Sequence, residues 1–210
     1  MGMRGIVSAM SQQPSPENAD VGMLAAGTWT RWVGLYDLGG LGGTVATWSV
    51  AEAADLDAGI GGTGVTETEW SACGRYLFVV ERRSKGILVY DVRVTGKLVS
   101  WLVGREADTN QRIGVDLFPG ENGTEVWAGG VDGIVRVWEG VGMKEGPLER
   151  SWEWQAHDGK SLRTGRSCYL LMLGRSCDFN SCAFVRDGGS NLFRSEVISR
   201  CWIQRRIRRQ

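Results

Sequence analysis

The chain has 210 residues, 42% of them hydrophobic, with 24 Lys+Arg balanced by 24 Asp+Glu. That is enough apolar material for a packed core, and it excludes wholesale disorder. No run approaches the ~18 apolar residues of a membrane span, and residues 1–14 hold one Arg and no sustained apolar stretch, so no signal peptide is read there.

The neutral total hides a split. Residues 1–159 carry 13 Lys+Arg against 21 Asp+Glu, whereas residues 160–210 carry 11 against 3. Cys73 stands alone in the first part; Cys168, Cys177, Cys182 and Cys201 all lie in the second. Such a break marks a domain boundary or a change of origin. Without a secretory signal, the thiols are expected to be free in a reducing compartment. Gly supplies 31 residues and Trp ten, against four Pro, a composition for tight turns between short strands.

In chain order, strand candidates fall at residues 5–8, 23–27, 33–37 and 44–50, then 65–70, 76–80, 87–91 and 97–103, then 112–117, 125–130, 134–139 and 151–156. The third member of each set ends aromatic–acidic: Tyr36-Asp37, Tyr90-Asp91 and Trp138-Glu139. Tyr36 to Tyr90 is 54 residues and Tyr90 to Trp138 is 48; propeller repeats of the WD type run ~40–45 with this ending. Residues 51–64, Ala/Gly/Asp-rich and without period, account for the first excess and are expected to form an exposed, irregular loop. Turn chemistry agrees: Asn122-Gly123 and Ser71-Ala72-Cys73-Gly74 separate first and second strands, and positive φ is expected at Gly86 and Gly133. The fold class read here is all-β, a partial propeller of about three four-stranded blades; a sandwich with similar strands is the alternative.

Three segments carry a family resemblance. Ala107-Asp108-Thr109-Asn110-Gln111-Arg112-Ile113 with Asp116-Leu117 is the most specific. Ala25-Ala26-Gly27-Thr28 through Val33-Gly34-Leu35-Tyr36-Asp37 is the second, and Val65-Thr66, Trp70-Ser71 and Gly74-Arg75-Tyr76-Leu77 form the third. Over residues 5–158 the chain resembles the WD-repeat family of telomerase Cajal body protein 1 and its fungal relatives. The resemblance implies a seven-bladed propeller in full-length members, no catalysis, and binding of small Cajal-body or telomerase RNA.

Other motifs read as structural. Gly59-Ile60-Gly61-Gly62-Thr63-Gly64 matches G-x-G-x-x-G, but a dinucleotide site needs a strand before it and a helix after it; a flexible loop is expected. His157, the one His, reads as an inter-strand structural residue rather than the base of a triad with Asp158. The four late Cys lack the Cys-x2-Cys pair of a zinc site. The Asn122-Gly123-Thr124 sequon reads as a turn. The basic end, Gln204 to Arg209, reads as a solvated tail, with nucleic-acid binding the alternative.

Two segments remain as RNA or partner contacts. Arg82, Arg83 and Lys85 lie in the turn between second and third strands of the middle unit, where Lys and Arg meet phosphate. Thr109, Asn110, Gln111 and Arg112 enter the third unit, and Arg112 suits bidentate recognition of phosphate or carboxylate. A solvated hairpin turn is the bland alternative for the first, and holding the loop through hydrogen bonds to neighbouring blades for the second. The expected division is residues 1–159 as a partial propeller and 160–210 as a basic, Cys-containing tail, disordered or from an aberrant reading frame. No cofactor, metal, membrane or small-molecule substrate is expected. The expected function is a non-enzymatic nuclear scaffold for small nuclear or telomerase-type RNA and ribonucleoprotein proteins, located in the Cajal body by resemblance. A generic protein-interaction scaffold, a cytoplasmic location and a non-functional truncated product are the alternatives.

Overall fold

Antiparallel hairpins organise the chain because short apolar runs alternate with turn residues. A computed structural model describes residues 3–14, 22–39 and 42–156. The first sheet has the order β1 (Val7–Gln12), β2 (Met23–Thr28), β3 (Trp32–Asp37), β4 (Thr44–Ser49). The second holds β5 (Val65–Trp70), β6 (Tyr76–Glu81), β7 (Gly86–Asp91) and β8 (Leu98–Val103). The third holds β9 (Val115–Gly120), β10 (Gly123–Gly129), β11 (Ile134–Val141) and β13 (Trp152–Gln155). These are three consecutive blades, as the repeat predicts. The middle blade departs from four strands: β12 (Gly146–Leu148), on the way from β11 to β13, adds to β8 as a parallel fifth strand.

The blades stack through both faces of the middle one, which is why its strands read as near-continuous apolar runs. Leu77, Val79, Leu88 and Tyr90 pack towards Ala25, Val33 and Leu35 of the first blade. The alternate residues, Phe78, Val80, Ile87 and Val89, pack towards Val126, Ala128 and Trp138 of the third. A third cluster of Trp127, Val135 and Val137, with Phe118, Trp152 and Trp154 against it, covers the far side of the third blade. Trp127 meets Trp152 edge-on at 5.1 Å.

Two first strands begin later than expected. β1 starts at Val7 rather than residue 5, because Gly5 takes φ +92° and leaves the extended backbone of a strand. β9 starts at Val115 rather than residue 112, because the Ile113 carbonyl accepts a bond from the Arg105 guanidinium at 2.6 Å. Gly133 takes positive φ as expected (+76°), but Gly86 does not; Arg83 does instead, at +53°. Gly86 is needed for close approach: a Cβ there would run into the Leu102 carbonyl and the Ile60 side chain. The tail from 160, His157 and the late Cys lie outside the described residues.

The expectation of an exposed, irregular loop at residues 51–64 holds only in part: Glu52, Asp55, Leu56, Asp57, Gly59 and Thr63 are exposed, but the segment is anchored to the core. Ala53–Asp57 forms a wide helical turn closed by the Ala58 N–H to the Ala53 carbonyl at 2.9 Å. Ala54 and Ile60 are buried in the core between the first two blades. Both Ile60 and Gly61 donate back to the Ala54 carbonyl. A segment without sequence period is thus fixed by two anchors six positions apart. No helix follows Gly64, only β5, so the dinucleotide context is missing. Ile60→Val is expected to cost about 1 kcal/mol, whereas Leu56→Ala, at a side chain 76% exposed, should stay within about 0.5 kcal/mol. Urea unfolding of the two variants checks the contrast; equal effects would mean the segment is not anchored.

Candidate nucleic-acid interface

Strand alternation brings the β2–β3, β6–β7 and β10–β11 turns and the β4–β5 and β8–β9 connections to one end of the blades. Backbone bonds knit them together. The Val50 N–H donates to Arg31 O, Lys85 N–H to Ile60 O, Arg105 N–H to Lys85 O and Val131 N–H to Glu106 O. Each inter-blade connection is therefore hooked to the turns on both sides of it.

The two segments singled out in the sequence meet on this face. The Arg83 N–H donates to the Thr109 carbonyl at 3.3 Å. Arg83, Lys85, Asn110, Gln111 and Arg112 are exposed, and Thr109 is half-buried with its Oγ1 accepting from the Gln111 N–H at 3.1 Å. Arg82 differs. It is half-buried and its guanidinium lies over the Trp29 ring at 4.4 Å, while its backbone exchanges bonds with Thr63 and Gly64. The carboxylates Glu106 and Asp108 are exposed in the same connection, so the cations do not act alone.

Beneath this layer lie charged groups that the sequence did not single out. Arg105 is 1% exposed; it donates to the carbonyls of Ile113 and Gly129, and burial pushes its guanidinium down to about 10. Burial pushes the nearby Glu67 carboxyl up, against the pull of Arg112 and of the Val115 N–H that it accepts at 3.1 Å. Arg31 bridges Glu81 and Asp55 at 2.8 and 2.7 Å, joining the first blade's turn, the β4–β5 connection and β6. No sequence spacing marks these partners, which lie 24 and 50 positions from Arg31. Among the described residues no group of three or more His, Cys, Asp or Glu is placed to hold a metal. No described helix is long and apolar enough to cross a membrane.

No family model matches the chain. Among curated proteins it is 34% identical over 143 residues to guanine nucleotide-binding protein negative regulator 1 of Schizosaccharomyces pombe, covering 68% of this chain and 32% of that protein. It is 31% identical over 138 residues to telomerase Cajal body protein 1 of Mus musculus, covering 66% of this chain and 22% of that protein. The chain thus spans about a third or less of the length of these relatives. Among solved structures it is similar to the WD40 repeats of RRP9, with a TM-score of 0.54 at 15% identity over 76% of this chain and 42% of that one. It is also similar to Sqt1 of Saccharomyces cerevisiae, with a TM-score of 0.53 at 16% identity over 73% of this chain and 36% of that one. The three blades, the aromatic–acidic repeat and these relatives agree: the chain belongs to the WD-repeat family of telomerase Cajal body protein 1 and its fungal relatives.

Proposed function

We propose that the chain is a non-enzymatic WD-repeat scaffold that binds small nuclear or telomerase-type RNA on its loop face and aids its placement in the nuclear Cajal body. The reading is supported by the likeness to a protein named for telomerase and the Cajal body. The observation that carries it is the Arg83–Thr109 backbone bond, which sets Arg83 and Lys85 beside Asn110, Gln111 and Arg112. Exposed cations of this kind meet phosphates, and the amide side chains of Asn and Gln suit base edges. Arg82 serves the site indirectly, by holding Trp29.

The test is filter binding of a small Cajal-body RNA transcript to the full chain across a salt series. Replacing Arg83, Lys85 and Arg112 together by Gln is expected to weaken binding about tenfold and to flatten the slope of log affinity on log salt by up to ~2, at ~0.7 for each phosphate no longer neutralised. Unchanged affinity and slope would place the RNA elsewhere or nowhere. A second reading, a protein-interaction scaffold, draws on Trp29 and Leu56, which stand 54% and 76% exposed on the same face, since exposed aromatic anchors favour protein partners. That reading expects no salt-dependent RNA binding at all.

A further inference from the structure

We propose that a concavity at the opposite end of the second and third blades binds a phosphorylated Ser or Thr side chain presented by a protein partner. The cavity has a volume of about 330 Å³. Three segments build it. The β5–β6 turn brings Arg75, the β7–β8 turn brings Arg93, Val94 and Lys97, and the connection from β11 to β12 brings Met143, Lys144 and Glu145. The unexpected strand β12 sets the third wall, because its pairing with β8, Gly146 opposite Ser100, draws the connection across from the third blade. The Tyr76 hydroxyl fastens it by donating to the Gly142 carbonyl at 2.8 Å.

The electrostatics suit a dianion. Asp91 accepts from Arg93 Nη2 at 2.7 Å and from Arg75 Nε at 3.2 Å, so one carboxylate orients two guanidinium groups and spends its charge on them. These bonds hold its carboxyl well below the usual carboxylate range, Arg93 foremost. Lys97 and Lys144 are exposed and make no side-chain hydrogen bond or ion pair among the described residues. Four cations against Asp91 and Glu145 leave an excess of two positive charges. A phosphate monoester carries about −1.5 to −2 at pH 7, with three strong acceptor oxygens, and Arg meets such a group bidentately.

A peptide fits better than an RNA strand. Val94 and Met143, 54% and 70% exposed, put aliphatic surface beside the cations, as suits the side chains flanking a phosphorylated residue. Base stacking needs an open aromatic face, whereas Arg75 lies over the Tyr76 ring at 5.1 Å. This site is independent of RNA binding on the loop face.

Fluorescence anisotropy of the full chain with labelled Gly-Val-Leu-pThr-Val-Ala, its unphosphorylated twin and octauridylate tests the proposal. The phosphopeptide is expected to bind at least tenfold more tightly than its twin, and more tightly at pH 7 than at pH 5.5 as the second phosphate proton leaves near ~6. The double variant Lys97→Gln, Lys144→Gln should lose that advantage at an unchanged melting temperature, and the triple Gln variant of the loop face should keep it. Equal binding of the twin, no phosphopeptide binding, or an advantage that survives in the double variant would overturn the proposal. So would octauridylate displacing the phosphopeptide and binding more tightly through the same lysines, which would assign the site to RNA phosphate.

Discussion

Replacing Arg31 by Met is expected to destabilise the protein by about 3–5 kcal/mol at pH 7, the cost of leaving a buried charge unpaired. Arg31 Nε and Nη2 donate to the two Glu81 oxygens at 2.8 and 3.0 Å, and the Glu81 side chain is 2% exposed. The contact with Asp55, whose side chain is 46% exposed, adds little because solvent screens it. Glu81 therefore decides the effect. Burial pushes its carboxyl above the ordinary 4.5, and Arg31 pulls against that rise. In the variant, burial and the nearby Asp55 charge still push it up and only the Gly64 N–H opposes them, so the folded-state value climbs further. A carboxyl raised on folding contributes stability that is present below its unfolded value and lost as pH rises through its folded value. The gap between native protein and variant should thus narrow as pH falls from 7 towards 4.5. Arg31→Gly should recover part of the loss, about 0.5–1 kcal/mol, since Arg31 sits at φ +64°, where a side chain is strained. Urea unfolding at the two pH values measures all three proteins. A loss under about 1 kcal/mol, well below the expected cost, or a gap that widens on acidification, would refute the assignment of Glu81 as the buried charge.

The blades were legible because their signals are local. Val65 to Trp70 and the aromatic–acidic ends of β3 and β7 read directly as strands, with turn residues on either side. What was not legible depends on partners distant in sequence. Gly146-Pro147-Leu148 is too short to show a period and contains a Pro, which suits only an edge strand; its pairing with β8 is visible only once blades two and three are stacked. The 51–64 connection looked like a loop because two anchors, Ala54 and Ile60, carry it. Positive φ fell on Arg83 rather than Gly86 because the glycine is needed beneath Leu102 and Ile60. The site divides in the same way. Exposed Arg83, Lys85 and Arg112 stand out as charges in turns, whereas Arg31 with Glu81, and Arg105 near Glu67, are pairings that only the fold brings about.

Trp138→Ala should cost about 3–5 kcal/mol, the range for emptying a buried Trp site, while the same truncation at Tyr36 should cost clearly less, although both residues occupy the same place in the repeat. The difference lies in the neighbours. In the second and third units the aromatic of the aromatic–acidic ending points towards the preceding blade. Trp138 is fully buried among Phe78, Val80, Ile87 and Leu102, and its Nε1–H donates to the Val103 carbonyl of the second blade at 3.2 Å. Tyr90 likewise packs on Trp48 of the first blade, ring centroids 5.5 Å apart. Tyr36 pairs with Leu24 on the side of the first blade away from the second, and it is only half-buried. Met10, paired with Ala26 on that same side, is 67% exposed. Trp138→Phe, which keeps a ring but removes the donor, should lose about 1 kcal/mol for the hydrogen bond plus a packing term smaller than that of Ala. Guanidinium unfolding of the full chain ranks the variants, with Trp138→Ala and Tyr90→Ala expected together at the top and Tyr36→Ala within about 2 kcal/mol of the native protein, inside the ordinary range for one substitution. A Tyr36→Ala loss equal to that of Trp138→Ala would show that the outer side of the first blade is packed as tightly as the junctions between blades, and burial would no longer explain why the three aromatics differ.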